Sequence, residues 1–309
     1  MVRYSAFCKI VELGSFTKAA AEMGYTQAAV SQMIQSLESD LGFTLLHRSR
    51  TGVRLTKEGK RLMPLIQKSV HLNREIEDIA NEIRGLSVGE VRIGTFSSIS
   101  QNWLPGLIHK FEETYPNVRF SVLTGDNKSI PEWIDNGIVD FGFVYPRAAS
   151  GLKVINFAQE TFFAVLPEKH HLSEQAEISL EMIEDEPFIV EEEGIANTAL
   201  EAFENAGLKP NIRYIMHDDY TILSMVEEGL GVSILPATVL SRASYRFKKV
   251  MTAPPIKRNI GIAYSSEAML PIAAKKFINL ILDNVPNIIK GKYTVAFDTE
   301  KLSIPDKTE

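Results

Sequence analysis

Apolar residues recur at helical spacing from the start of this chain. Phe7, Ile10 and Val11 form a stripe over about Arg3 to Leu13, and Gly14 ends it. Ser15 or Thr17 caps a second predicted helix that carries Ala19, Ala20 and Met23 and stops at Gly24. After the turn Gly24-Tyr25-Thr26, a third helix beginning at Thr26 or Gln27 buries Val30, Ile34, Leu37 and Leu41 and ends at Gly42. Two helices joined by a tight glycine turn make a helix-turn-helix. In the stretch from Leu45 to Thr56, Gly52 separates two short extended pieces, which predicts a winged hairpin.

Thr56 is placed to cap a long helix from about Lys57 to Ser87. Its residues Leu62, Leu65, Ser69, Leu72, Ile76, Ile79, Ile83 and Leu86 follow one another in steps of three and four, a coiled-coil seam interrupted at Ser69. The other faces are polar, so the seam predicts pairing with a second chain; packing within the chain's own domain is the alternative. Pro64 is expected to kink this helix or mark its start.

Beyond Gly89 the period changes. Strands at Val91–Phe96, Val118–Thr124 and Asp140–Tyr145 alternate with helices at Trp103–Tyr115 and Ile130–Asn136. A second set has strands at Thr161–Leu166, Phe188–Glu191, Ile212–Met216, Val232–Leu235 and Ile260–Tyr264, with helices at Thr198–Ala206, Tyr220–Glu228 and Pro271–Val285. Repeated alternation implies a parallel sheet covered by helices, here in two α/β lobes with a cleft between them. Lys290 to Glu309 show no clear apolar period and read as a loosely held tail.

Composition changes this picture in three ways. The 309 residues, 45% apolar and 23% charged, suit more than one folded domain. No run approaches the roughly 18 to 20 apolar residues of a membrane span, and Arg3, Lys9, Glu12 and Lys18 interrupt any signal-like segment, so a cytoplasmic protein is expected. The single Cys8 offers no internal disulfide and no cysteine-rich metal site. Residues 1 to 70 carry ten Lys and Arg against five Asp and Glu, a net of +5 that leaves −11 for the rest of the total of −6. A small basic module on a larger acidic body suggests a polyanion-binding head.

Specific residues narrow the reading. The runs Gly14-Ser15-Phe16-Thr17-Lys18-Ala19-Ala20, Thr26-Gln27-Ala28-Ala29-Val30-Ser31-Gln32-Met33-Ile34-Gln35-Ser36-Leu37-Glu38, Leu41-Gly42 and Leu55-Thr56-Lys57-Glu58-Gly59 resemble the winged helix-turn-helix of the LysR-type transcriptional regulators. Gly89-Glu90-Val91-Arg92-Ile93-Gly94, Gly137-Ile138-Val139-Asp140-Phe141-Gly142-Phe143 and Glu228-Gly229-Leu230-Gly231-Val232-Ser233-Ile234-Leu235-Pro236 are similar to that family's effector domain. The resemblance covers residues 1 to about 288, in order and at family spacing. It implies an α/β chain with an N-terminal winged helix-turn-helix at 1–58, a linker dimerisation helix at 59–88 and an effector domain of the type 2 periplasmic-binding-protein kind at 89–290. Lobe 1 would comprise 89–161 and 265–290, lobe 2 would comprise 162–264, and 291–309 would form the C-terminal tail.

The resemblance assigns base reading to Gln27, Ala28, Ser31 and Gln32, with Thr26 at the helix start and Gln35 one turn further on. Glutamine can bond adenine bidentately, and alanine can touch a thymine methyl. Arg48, Arg50 and Arg54 are assigned to phosphates or the minor groove. Here Arg48 and Arg50 stand two apart, whereas the family often has wing arginines three apart.

For the effector, the geometry of open α/β sheets points to strand ends and helix starts: Ser97, Ser98, Ile99, Ser100, Thr124 and Tyr145 in one lobe, and Glu193, Ile195, Asp218 and Tyr220 in the other. Helix capping is the competing role for Ser97, Ser98 and Asp218. Glu191 to Glu193 with Asp218 and Asp219 would repel a carboxylate unless Lys128 or Arg147 compensates, which leaves a zwitterionic or uncharged effector open.

No GxSxG, HExxH, phosphate-loop or GxGxxG signature is present, and the adjacent His170 and His171 read as a poor metal pair. No enzyme activity, cofactor or metal is expected. The leading reading is a regulator that senses a small cytosolic metabolite. Its expected partners are double-stranded operator DNA, the effector and itself, as a homodimer and further as a homotetramer; RNA polymerase is a candidate partner. A solute-binding protein is disfavoured by the basic head and missing export signal, and a two-lobed enzyme by the missing catalytic set.

Overall fold

The computed structural model describes residues 1–49, 52–83, 89–194, 197–241, 243–288 and 294–296. The chain divides into two compact units, Met1–Val88 with Asp135–Ile138, and Gly89–Ile134 with Val139–Glu309. Among the described residues, no helix is long and apolar enough to cross a membrane.

The first unit opens with α1 (Val2–Leu13), α2 (Phe16–Met23) and α3 (Gln27–Leu41). Each stops at a glycine in the left-handed region, Gly14, Gly24 and Gly42, where a side chain would be strained. The hydroxyls of Ser15 and Thr26 accept the backbone N–H groups of Lys18 and Ala29, so Thr26 rather than Gln27 is the cap of α3. Phe7, Ile10, Val30, Ile34 and Leu37 close over one core.

The hairpin β1 (Leu46–Ser49) and β2 (Gly52–Leu55) follows as an antiparallel pair. Glu38 of α3 anchors its start, accepting the backbone N–H groups of Leu45 at 2.6 Å and Leu46 at 3.1 Å. Thr56 caps α4 (Lys57–Ile83) by accepting the N–H of Gly59 at 2.9 Å, and its own hydroxyl donates to the carbonyl of Thr44. A Cβ on Gly59 would stand 2.2 Å from the carbonyl oxygen of Leu45, so only glycine lets α4 pass this close to the hairpin.

α4 starts at Lys57 and runs through Pro64. The proline therefore does not mark the helix start. The expected seam divides in two: Leu62 joins Ile66 and Met63 in the head's core, while Leu65, Leu72, Ile76 and Ile79 stand exposed. Ser87, Leu86 and the side chain of Ile83 lie outside the described residues.

The second unit contains β3 (Gly89–Thr95), α5 (Ser97–Asn102), α6 (Leu104–Glu112), β4 (Val118–Thr124), α7 (Ser129–Asp135, partly grouped with the first unit) and β5 (Phe141–Val144). The 14-residue β6 (Lys153–Leu166) then leads to β7 (Glu177–Ile178), β8 (Phe188–Glu191), α8 (Thr198–Asn205), β9 (Ile212–Met216), α9 (Asp219–Glu227), β10 (Ser233–Pro236), α10 (Ala237–Leu240), β11 (Lys248–Thr252), β12 (Lys257–Tyr264), α11 (Ile272–Ile288) and β13 (Thr294–Ala296). The helix expected over Trp103–Tyr115 is found at Leu104–Glu112, with Pro105 in its first turn, and the separate short α5 precedes it.

The sheet is mixed rather than parallel throughout. β3 pairs with β4 and β5 in parallel, but β12 runs antiparallel to both β5 and β6. The reason is topological: the chain passes out along β6 and returns along β12. Lys153–Thr161 of β6 pairs with β12, and Phe162–Leu166 of the same strand pairs with β10 and β11. Separate cores lie on either side of this crossing, one around Phe111, Phe141, Phe143 and Phe277, the other around Phe162, Phe188 and Phe203. Part of the expected tail is held, since β13 pairs with Ala158–Glu160.

Candidate functional site

On α3, the residues at 27, 28, 31, 32 and 35 share the face opposite Val30, Ile34 and Leu37. Thr26, Gln27, Ala28, Gln32 and Gln35 are exposed and Ser31 is half-buried, so the structure gathers them on one side of one helix. Arg54 is exposed on β2. Arg50 and the side chain of Arg48 lie outside the described residues.

The second site is a cavity of about 200 Å³ in the larger unit, lined from both lobes. The ends of β3 and β4 supply Phe96, Ser97, Ser98, Thr124, Gly125 and Asp126; the ends of β8 and β9 supply Glu191, Glu192, Glu193 and His217. Asp219 from α9, Pro236 from β10 and Arg258 from β12 complete the main chemistry. Of the expected effector residues, Ser97, Ser98, Thr124 and Glu193 line this space.

The other described residues of that set are not among those lining this space. Ile99 is buried in the core of lobe 1, and the Ser100 hydroxyl donates to the carbonyl of Ser97. The Tyr145 hydroxyl donates to Glu201 at 3.2 Å. Asp218 caps α9, accepting the N–H and hydroxyl of Thr221. Tyr220 is not among the lining residues, and Ile195 lies outside the described residues.

Arg258 was not anticipated, and it organises the cavity floor. Its side chain is 5% exposed and donates to Glu160 at 2.9 and 3.2 Å and to Glu193 at 2.6 Å. Thr238 donates its hydroxyl to the other oxygen of Glu160, and the guanidinium lies 4.8 Å from the Phe162 ring centroid and 5.7 Å from that of Phe96. Burial works against its charge, but Glu193 and Glu160 more than offset this and raise its pKa. The cation that meets these carboxylates is Arg258: Arg147 pairs with Glu201, and Lys128 is not among the lining residues. An arginine so distant along the chain left no local signal of this role.

Glu191 and Asp219 face each other at the cavity wall. Burial, then the neighbouring carboxylates, push Glu191 well above the ordinary range. Burial likewise raises Asp219, to about 7, although its contact with Glu191 pulls the other way. Asp126 is held low despite partial burial, because its carboxylate accepts the N–H groups of Ser129 and Lys128.

Residues 2–60 match the family model for the bacterial regulatory helix-turn-helix protein, lysR family, and residues 84–286 match the LysR substrate binding domain. The chain belongs to the LysR-type transcriptional regulators. It is therefore a DNA-binding transcription regulator with an effector-binding domain, and the family is one of regulators rather than enzymes.

This regulator is 30% identical over 285 residues to the uncharacterized HTH-type transcriptional regulator YvbU of Bacillus subtilis (strain 168), covering 91% of this chain and 97% of that one. It is 25% identical over 285 residues to the HTH-type transcriptional activator CmpR of Synechocystis sp. (strain ATCC 27184 / PCC 6803 / Kazusa), covering 90% and 93%. Full-length CbnR, solved in complex with its target DNA, shares the fold with a TM-score of 0.65 at 22% identity, over 91% of this chain and 98% of that one. HinK, a LysR family regulator from Pseudomonas aeruginosa, aligns with a TM-score of 0.58 at 25% identity, over 92% and 98%.

Two side observations bear on the regulator's chemistry. Burial pushes the Cys8 thiol up to about 11, which keeps it protonated near neutrality and poorly nucleophilic. His170 and His171 do not diverge as their adjacency suggested: their rings are 4.5 Å apart, and both Nε2 atoms face the carboxylate of Glu186, at 3.5 and 3.7 Å.

Proposed function

We propose that this regulator senses a small cytosolic metabolite in the cavity between its two lobes and converts occupancy into a change in operator binding. The observation that carries this reading is the cavity itself, which draws Ser97, Ser98 and Thr124 from one lobe and Glu191, Glu193 and Asp219 from the other. A ligand touching both walls favours one lobe arrangement by its difference in affinity for the two. The proposed boundaries are a DNA-binding domain at 1–58, linker helix at 59–88, lobe 1 at 89–161 and 265–290, lobe 2 at 162–264 and tail at 291–309.

In the head, Gln27, Ala28, Ser31 and Gln32 read base edges in the major groove, with Thr26 and Gln35 flanking them. Arg48, Arg50 and Arg54 bind phosphates or the minor groove and set the position. The chain acts in the cytoplasm as a homodimer through α4, and as a homotetramer at full length. The exposed Leu65, Leu72, Ile76 and Ile79 support the dimer, because a helix face this apolar is stabilised by a partner. RNA polymerase is the proposed downstream partner.

Footprinting on DNA upstream of the chain's own gene, with candidate metabolites titrated in, tests the regulatory reading. The expected result is sequence-preferring protection whose extent changes with effector; protection that no metabolite alters overturns the sensing half. Leu72→Lys together with Ile76→Lys should yield smaller species in light scattering, and an unchanged mass would place those residues away from the interface.

A further inference from the structure

The cavity's charge balance bears on which effector it takes, and the argument rests on this cavity being the effector site. Asp126, Glu191, Glu192, Glu193 and Asp219 line it, against the guanidinium of Arg258 and the imidazole of His217. Arg258 is already bonded to Glu160 and Glu193. His217 lies 3.3 Å from Glu192. Among the described lining residues, no cation is left over to receive an anionic ligand.

The carboxylates are not equally satisfied. Asp126 accepts backbone N–H groups, and Glu193 accepts from Arg258 and from the N–H of Thr198. Asp219 is 6% exposed, and no N–H or hydroxyl group donates to its buried Oδ1. What faces it is a second carboxyl, Glu191. A buried acceptor without such a donor is costly, and two adjoining carboxyls, one buried and one half-buried, repel each other once ionised. An ammonium group answers both defects, with three N–H donors and a positive charge.

We propose that the effector is a small organic cation whose ammonium group seats between Glu191 and Asp219. Phe96 and Pro236 offer an apolar wall for its carbon stem, which suits an amine better than a hydrated divalent metal. The volume of about 200 Å³ lies below the usual range of about 300 to 1,000 Å³ for drug-sized ligands, so the amine is short. The pair's surroundings also link binding to protons. Glu193, Asp218 and Arg258 are the other charged groups acting on it, and with Asp219 raised to about 7 the pair holds a proton near neutrality. A cation entering this site displaces that proton, so amine affinity rises between pH 6 and pH 8.

Calorimetry on the full-length protein, with n-butylamine, 1,4-diaminobutane, butanoate and magnesium chloride as probes, tests this directly. Both amines should bind, more tightly at pH 8 than at pH 6, with buffer-dependent heats that report proton release. Asp219→Asn and Glu191→Gln should each weaken amine binding more than tenfold, and circular dichroism checks that each variant is folded. The wild-type probe series stands alone if a variant fails to fold. Preference for butanoate, binding of magnesium without the amines, no amine binding, or amine affinity unchanged in both folded variants would each overturn the proposal. Fluorescence anisotropy on the upstream DNA separates this from the broader reading: a protein that ignores amines but prefers its upstream DNA loses only the amine assignment. One that binds amines without preferring that DNA contradicts the operator reading and leaves the cavity chemistry standing.

Discussion

The exposed face of α3 and the cavity of the larger unit are both polar, yet they are held in different ways. Gln27 to Gln35 ride on one helix whose opposite face, Val30, Ile34 and Leu37, is locked in the head's core. Each exposed side chain there makes its contribution nearly alone. At and beneath the cavity floor, Glu160, Glu193, Arg258 and Thr238 come from separate segments and satisfy one another's charges and hydrogen bonds. Removing one member of such a network strands the rest in a buried place, whereas removing one glutamine from α3 strands nothing. Changes on α3 should therefore alter affinity, and changes under the cavity should first alter the fold.

The largest effect expected from this contrast is at Arg258. Arg258→Ala leaves Glu160 and Glu193 buried without their cation and should lower stability by about 3 to 5 kcal/mol in urea unfolding of the full-length chain. A loss under about 1 kcal/mol would mean these carboxylates find other partners, and the contrast would fail. Next comes Gly59→Ala, which drives a methyl into the Leu45 carbonyl; a loss of about 2 to 3 kcal/mol is expected in the same measurement, with weaker binding of all DNA. An unperturbed melt there would show that α4 can move off the hairpin at little cost.

On the α3 face itself, Gln27→Ala should cost about 1 to 3 kcal/mol at the operator by anisotropy, with little change on random DNA or in stability. Arg54→Ala should weaken both DNAs alike and flatten the salt dependence. Equal losses on both DNAs for Gln27→Ala would remove base reading from this helix. The smallest effect separates a cap from a ligand contact: Asp218→Ala should cost about 1 kcal/mol of stability through the lost α9 cap. A stability unchanged by this substitution would return Asp218 to the list of effector contacts.

Much of the head was legible along the chain because its determinants are local. Glycine stops, hydroxyl caps and a 3.6-residue period are read within a few positions, and Gly14, Ser15, Gly24, Thr26, Gly42 and Thr56 all do what their neighbours imply. The family motifs marked the effector domain, and the strand-end argument pointed to Ser97, Ser98, Thr124 and Glu193, which line the cavity. The seam of α4 was legible as a pattern, but its division between the head's core and an exposed face was not, since the period does not say which neighbour covers each turn.

The pairing of distant groups came only with the folded chain. The direction of β12 beside β6, the ion triad of Glu160, Arg258 and Glu193, and the facing carboxyls of Glu191 and Asp219 depend on where the chain crosses between lobes. Glu193 and Asp219 read as unpaired negative charges in sequence because Coulomb interactions act through space, and the cation that answers the first sits on the returning strand. Local pattern, charge and motif were enough for a basic winged head, a long helix and an acidic two-lobed body; folding brought an arginine beneath the cavity and left one buried carboxyl oxygen there without an N–H or hydroxyl donor.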